Sequence, residues 1–264
     1  MRTWRFLLSR RWIGFAVVVV LLAWAAWWLG EWQFDRLEER KARNAVVERN
    51  ETLAPAPATE VLPPEGGVAT SDEWRLVTAT GEYDAADTVI VRYRTRDGAS
   101  GVDVVVPLVL DDGTSVLVDR GWVQADNRGT DSGDVPAPPG GQVTITGWAR
   151  ADATGDSTEV VDQSTRAISS SRIGTALGRE VRRGFVELRS EDPPPDVALT
   201  PVELPELDNG PHFFYGLQWW FFGVLALFGF GYLAWDERRG PRAARPSQGA
   251  QHPAVDGDHH PGDE

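Results

Sequence analysis

Two runs of the chain carry almost no polar residues. From Ile13 to Leu29 the sequence reads IGFAVVVVLLAWAAWWL, and from Phe213 to Trp235 it reads FFYGLQWWFFGVLALFGFGYLAW, where Gln218 is the one strongly polar side chain. At about 1.5 Å of rise per residue, the second can cross a hydrocarbon layer of roughly 30 Å with some tilt. The first is near the short limit, and Trp12 and Gly30 extend it. Lipid offers backbone amides no water, so both runs are predicted as transmembrane helices, 12–30 and 212–235. The first run has a second reading as a signal peptide, with Arg2, Arg5, Arg10 and Arg11 as its basic region and Ala23-Trp24-Ala25 as a weak small-x-small site. Trp27, Trp28 and Leu29 carry the run past that site and suit an anchor.

Between the two runs the pattern changes twice. Residues 31–53 are strong helix formers without proline and are predicted as a helical extension of the first span. Residues 54–73 (APAPATEVLPPEGG and onward) have neither period and are predicted as a proline-rich connector. The sequon Asn50-Glu51-Thr52 reads as coincidence. From Trp74 the period becomes two. WRLVTATGEY (74–83), TVIVRYRT (88–95), GVDVVVPLVL (101–110), TSVLVDRGWV (114–123), GQVTITGWAR (141–150) and REVRRGFVELR (179–189) read as strands separated by turn signals such as Arg96-Asp97-Gly98 and Asp111-Asp112-Gly113. A short helix is expected near Ser171–Leu177. The predicted class is a membrane protein with two transmembrane helices flanking a mainly antiparallel β domain, barrel or sandwich, over 74–211.

Charge sets the expected orientation. Four arginines precede the first span, and Arg238, Arg239, Arg242 and Arg245 follow the second. Positive ends stay in the cytoplasm, so segments 1–11 and 236–264 are expected there, and the β domain outside a bacterial plasma membrane. Residues 31–212 hold 33 acidic against 18 basic side chains, a surface that anionic lipid headgroups and nucleic acid both repel. The tail's His252, His259 and His260 lie among aspartates; a loose metal site is conceivable there, and a solvated, disordered tail fits the composition better.

Composition removes most chemistry. The chain has no cysteine, and its one methionine is Met1. Iron–sulfur clusters, cysteine-held zinc and soft copper ligation are therefore excluded. No histidine precedes His212, so no Ser-His-Asp set can form, and no catalytic constellation is found. Asp119 and Arg120, side by side in VDRGWV, are expected on opposite faces of a strand, with Gly121 allowing a bulge that aims Trp122. His212, at the start of the second span, is the only histidine outside the tail. If the helices pack, Trp28 and Trp32 of the first span and Tyr215 and Trp219 of the second are expected around it. An aromatic belt at the membrane surface explains the tryptophans. Axial ligation of a haem iron would explain the histidine as well.

These residues resemble the surfeit locus protein 1 family, assembly factors of cytochrome c oxidase. LGEWQFDR (Gly30, Trp32, Gln33, Arg36), GEY (Gly81, Tyr83), PLVLDDGTSVLVDRGWV (Pro107, Gly113, Arg120, Gly121, Trp122) and GPHFFYGLQW (His212, Tyr215, Gln218, Trp219) match its signatures in order. Phe213, Phe214 and Gly216 stand where smaller or aliphatic residues and an alanine are expected. The resemblance implies a non-enzymatic helper in haem a insertion, with the oxidase catalytic subunit and haem a synthase as partners and haem a as transient cofactor. It implies His212 as axial ligand, with Trp28, Trp32, Tyr215 and Trp219 around the macrocycle. Gln33, Arg36 and Arg120 are expected toward partner carboxylates or haem propionates. The alternatives are a cofactor-free scaffold joining oxidase subunit and synthase, and a binding domain for an envelope ligand.

Overall fold

The computed structural model describes residues 4–125 and 130–239; the His/Asp-rich part of the tail lies outside the described residues. In chain order the elements are α1 (Arg10–Glu51), β1 (Ala56–Pro57), α2 (Ala58–Val61), β2 (Leu76–Tyr83), β3 (Val89–Arg96), β4 (Ala99–Leu110), β5 (Ser115–Gln124), β6 (Gln142–Arg150), β7 (Ser164–Thr165), α3 (Ser170–Leu177), β8 (Val181–Asp192) and α4 (His212–Arg239). They divide into a helical unit, up to Phe34 and from Pro211, and a β unit over Asp35–Gly210.

In the helical unit, α1 and α4 are each long and apolar enough to cross a membrane. They pack antiparallel. Trp12 meets Phe230 at a ring distance of 5.7 Å at one end, and Gln33 meets His212 at the other. Among the less exposed positions, Trp12, Ala16, Val19, Ala23, Ala26, Gly30 and Gln33 form one row of α1, flanked by Ala25, Leu29, Glu31 and Phe34; His212, Gly216, Trp219, Gly223, Ala226 and Phe230 form one row of α4, flanked by Gly229 and continued by Ala234. Both rows step by alternating fours and threes, the spacing of a coiled-coil seam. About half of the positions in these two rows are glycine or alanine, which lets the backbones approach closely. The first two turns beneath His212 are filled. A Cβ on Gly216 would lie 2.8 Å from the Phe34 ring, and one on Gly30 would collide with the Trp220 indole. The alanine expected at 216 therefore has no room unless Phe34 moves.

The β unit is a small barrel. β2, β6, β8, β5 and β4 pair in that order, and β4 returns to β2 through Gly81↔Leu110 and Tyr83↔Leu108. A closed ring with an odd number of strands cannot alternate direction throughout. One pair must run parallel, and here it is β5 with β8. Parallel neighbours need a long crossover, and the chain between them supplies β6, β7 and α3. β3 continues the sheet beyond β4, and β7 lies parallel on β3.

Barrel versus sandwich was left open by the pattern; the β2–β4 pairing makes it a barrel. The interior holds Val77, Val104, Val106, Leu108, Val116, Val118, Val143, Ile145, Val186 and Leu188. The alternate residues Val105, Leu117 and Phe185 point the other way and pack with Val89, Val91, Ile168 and Ile173 of α3. β4 and β5 are thus buried on both faces, which is why 101–110 reads as a nearly unbroken apolar run.

One sequence expectation needs correction. The connector 54–73 is more than a tether: β1 pairs with β2, α2 forms, and Leu62 is fully buried with Ala58 in the barrel core. Two or four residues per element are too few for a period to show. The end of α1 from Asp35 onward is fastened within the same unit. The buried Asn50 amide donates to the carbonyls of Ser71 and Glu73, both at 2.8 Å, so this sequon side chain is already committed. Arg40 and Asn44 hold the Asp208 carbonyl at 2.8 and 3.0 Å.

Barrel closure depends on Gly81, where any Cβ would collide with the Val109 carbonyl. Gly81→Ala is expected to destabilise the β unit by about 1–3 kcal/mol. Thermal unfolding of the full chain in detergent checks this; an unchanged midpoint would mean that the closure has slack.

Candidate functional site

His212 starts α4, and its Nδ1 lies 2.8 Å from Oε1 of Gln33 on α1. An amide oxygen only accepts, so with the amide in this orientation Nδ1 carries the proton and Nε2 keeps its lone pair. A second partner that fixes the tautomer and ring orientation is the arrangement found behind metal-bound imidazoles. It is also what a polar pair at a seam position does on its own account, since it pins the register of two apolar helices.

The other expected ring neighbours are only partly assembled. Trp219 lies seven residues beyond His212 in the same seam row, and Tyr215 is exposed one turn from it. Trp28 and Trp32 do not converge on the histidine. Each stands two positions past a seam residue, about 200° round the helix, and they are 55% and 44% exposed. The space between the helices beneath His212 is taken by Trp220 and Phe34, whose ring centres are 4.9 Å apart. Tested against a haem, these residues offer one nitrogen, Nε2 of His212, that would hold the iron. They do not form an enclosing slot between the helices.

The two arginines behave differently from each other. Arg36 is exposed and pairs with Glu39 one turn along at 2.8 Å. Arg120 is inside the barrel, where its guanidinium bonds Glu191 at 3.1 Å and the Pro136 carbonyl at 3.0 Å and lies over the Tyr83 ring. Its side chain is 1% exposed, so no ligand propionate or partner carboxylate reaches it in this fold. Glu191 reaches the interior because β8 carries a bulge opposite Thr146 and Gly147, which reverses the alternation of its last residues. The bulge expected at Gly121 is present: Val105 pairs with Asp119 and Asp103 with Trp122, which leaves two residues of β5 opposite Val104. Trp122 then donates its indole N–H to the Arg94 carbonyl at 3.1 Å.

On the outer face of the same strands sits a feature that motif reading missed. Asp103, Asp119 and Glu187 occupy neighbouring strands β4, β5 and β8, all buried, beside an open pocket of about 430 Å³. Arg94 and Arg96 pair with Asp103 at 2.8 and 3.5 Å, and Arg150 pairs with Glu187. Among the described residues Asp119 forms no ion pair with an arginine; its carboxylate accepts the Gly121 amide at 3.1 Å. Burial pushes the Asp119 carboxyl well above the ordinary range, and the charges of Asp103 and Glu187 push it further. Burial raises Asp103 and Glu187 as well, against the pull of their arginines. Among the described residues no three acidic or histidine side chains are placed to share a metal ion. A signal was available in the sequence: a lone carboxylate inside the apolar run GVDVVV.

A model of the SURF1 family matches residues 20–224. An uncharacterized SURF1-like protein of Mycobacterium tuberculosis is 33% identical over 243 residues, which cover 90% of this chain and 88% of that protein; its Mycobacterium bovis counterpart matches to the same extent. The cytochrome oxidase assembly protein SHY1 of Saccharomyces cerevisiae is 31% identical over 108 residues, 40% of this chain and 27% of the yeast protein.

The acid cluster makes a prediction about stability. A carboxyl whose folded pKa is raised supports folding fully only below its unfolded value of about 3.9, and that support is lost as pH climbs through the folded value. Asp119→Asn keeps the bond from Gly121 and removes the cost of charging. It is expected to raise the thermal midpoint by about 2–6 °C at pH 8 and by progressively less toward pH 4. A difference independent of pH would show that the effect is packing.

Proposed function

The chain belongs to the SURF1 family, and from that premise we propose that it serves, without catalysing a reaction, in the assembly of the haem–copper cytochrome oxidase of a bacterial plasma membrane. α1 and α4 act as its two spans. Both termini lie in the cytoplasm and the acidic β unit lies outside; the antiparallel packing of the two helices supports this hairpin, since it brings the arginine-bearing ends together. The partners are the oxidase catalytic subunit and haem a synthase, and the stage is haem a insertion.

The observation that carries the finer reading is the His212–Gln33 bond. His212 would hold haem a through Nε2, while Gln33 keeps the proton on Nδ1 and the ring in one orientation. When bound, haem a supplies a redox-active iron that the oxidase needs; this chain contributes ligation and release. The filled space between the helices favours a second reading, a scaffold without cofactor in which the same bond only locks the helix register.

The readings separate in one experiment. The full chain is co-expressed with the haem a biosynthetic enzymes, purified in detergent, and its visible spectrum is compared with those of His212→Ala and Gln33→Ala. Ligation is expected to give a Soret band that His212→Ala abolishes, and a haem affinity about 10- to 100-fold lower in Gln33→Ala. No band in any of the three proteins, together with oxidase assembly lost in both variants, would overturn ligation and leave the scaffold.

A further inference from the structure

Gln218 and Tyr215 lie three residues apart on one exposed flank of α4, Gln218 about 120° and Tyr215 about 60° round from the seam with α1. The rest of that face is Phe214, Phe221, Phe222 and Leu225, all exposed and apolar. Among the described residues neither the Gln218 amide nor the Tyr215 hydroxyl has a hydrogen-bond partner. Gln218 lies six residues, about 9 Å, along the helix from His212, farther than its own side chain reaches back toward the helix start. Hydrocarbon offers an amide nothing to bond, and an unmet amide there is costly. Polar side chains within spans accordingly turn toward other protein, where they bond across helices. In this chain the seam was available, and Gln218 is outside it.

We infer that the α4 face carrying Tyr215 and Gln218 receives a transmembrane helix of another membrane protein, one that presents a side chain able to donate and accept at the level of Gln218. This rests on the membrane reading above. The bulky ridge of Phe214, Phe221 and Phe222 selects against a second copy of this chain. Homotypic pairing of helices favours small residues that let backbones touch; between Tyr215 and Leu225 the two glycines, Gly216 and Gly223, already face α1, and the open Gly229 and Gly231 lie beyond that stretch. A phenylalanine ridge fits instead into a groove between helices of a larger membrane protein. The site is distinct from His212, which lies in the seam, so a partner on this face leaves Nε2 untouched.

The test uses the full chain in its native membrane, with a photo-crosslinking residue at Phe222 on the face or at Val224, about 160° away round the helix. Resistance to alkaline carbonate extraction first establishes insertion. The expected result is an adduct from position 222 that maps to a membrane-spanning segment of a different polypeptide, absent from position 224. Gln218→Leu, which inserts at least as readily, should reduce that adduct roughly 3- to 15-fold, the range an interhelical hydrogen bond in lipid supplies. Adducts with lipid alone, an adduct with a second copy, or an adduct that Gln218→Leu leaves unchanged would each overturn the inference while the membrane reading stands. Release of the chain by carbonate would sink the membrane reading, and this inference with it.

Discussion

A ring of five strands has to contain one parallel pair, and the rest of the β unit follows from where that pair is placed. Setting β5 against β8 obliges the intervening chain to cross the outside of the barrel, and the crossing brings α3 and Ile168 onto the sheet. That outer layer buries the second face of β4 and β5. Residues that would be wet on an ordinary antiparallel barrel are then enclosed. Asp103, Asp119 and Glu187 are three such residues, and the arginines of β3 and β6 are drawn in to offset two of them. Among the described residues Asp119 pairs with no arginine and accepts the Gly121 amide, so the cost of the topology concentrates there. The inner face shows the same economy. The guanidinium of Arg120 is kept from being an isolated buried charge by Glu191, and Glu191 is available only because a bulge turns it inward.

As the pair of membrane spans proposed above, the helical unit is organised on a different principle. In water, apolar helices associate by hiding from solvent; between lipid tails that drive is absent, and contact depends on close fit and on hydrogen bonds. The seam meets both conditions. Glycine and alanine occupy most of its positions, Trp220 and Phe34 fill the gaps beside Gly30 and Gly216, and one polar pair closes the end. His212 and Gln33 therefore have a structural task whatever else they do. A histidine that must keep the helices in register is also a histidine with a fixed tautomer, so the two readings share one geometry.

Much of this was legible before any coordinates. Periodicity located six strands, and the observed ones begin and end within about three residues of the expected limits, because each long strand has an alternating or doubly apolar pattern. Gly121 announced its bulge, and the opposite facing of Asp119 and Arg120 followed from strand geometry. Other features had no local signature. Barrel closure is a pairing of residues about thirty apart in sequence, and nothing in Gly81 alone distinguishes it from a turn glycine. α2 is a single turn, and Leu62 stands among prolines. The convergence of Trp28 and Trp32 on His212 failed for a reason visible in the heptad spacing: the seam runs through Ala26, Gly30 and Gln33, and a residue two positions beyond a seam residue faces away from the partner helix. Aromatic content alone does not set the direction in which a side chain points.

The closed seam bears on how a haem carrier of this design would work. A cofactor that must be passed on cannot be enclosed on every side, since release would then require the helices to part and the His212–Gln33 bond to break. A single imidazole held through Nδ1 by Gln33 would ask for neither. In the proposed role it would offer one bond to iron and leave the rest of the macrocycle to other partners. The chain's lack of cysteine, and of any methionine beyond the first, agrees with that economy: no soft or multidentate ligand competes to retain the metal. In the proposed role, weak one-sided binding is thus a requirement of transfer, and the affinity lost with the enclosing slot is affinity that hand-over would otherwise have to overcome.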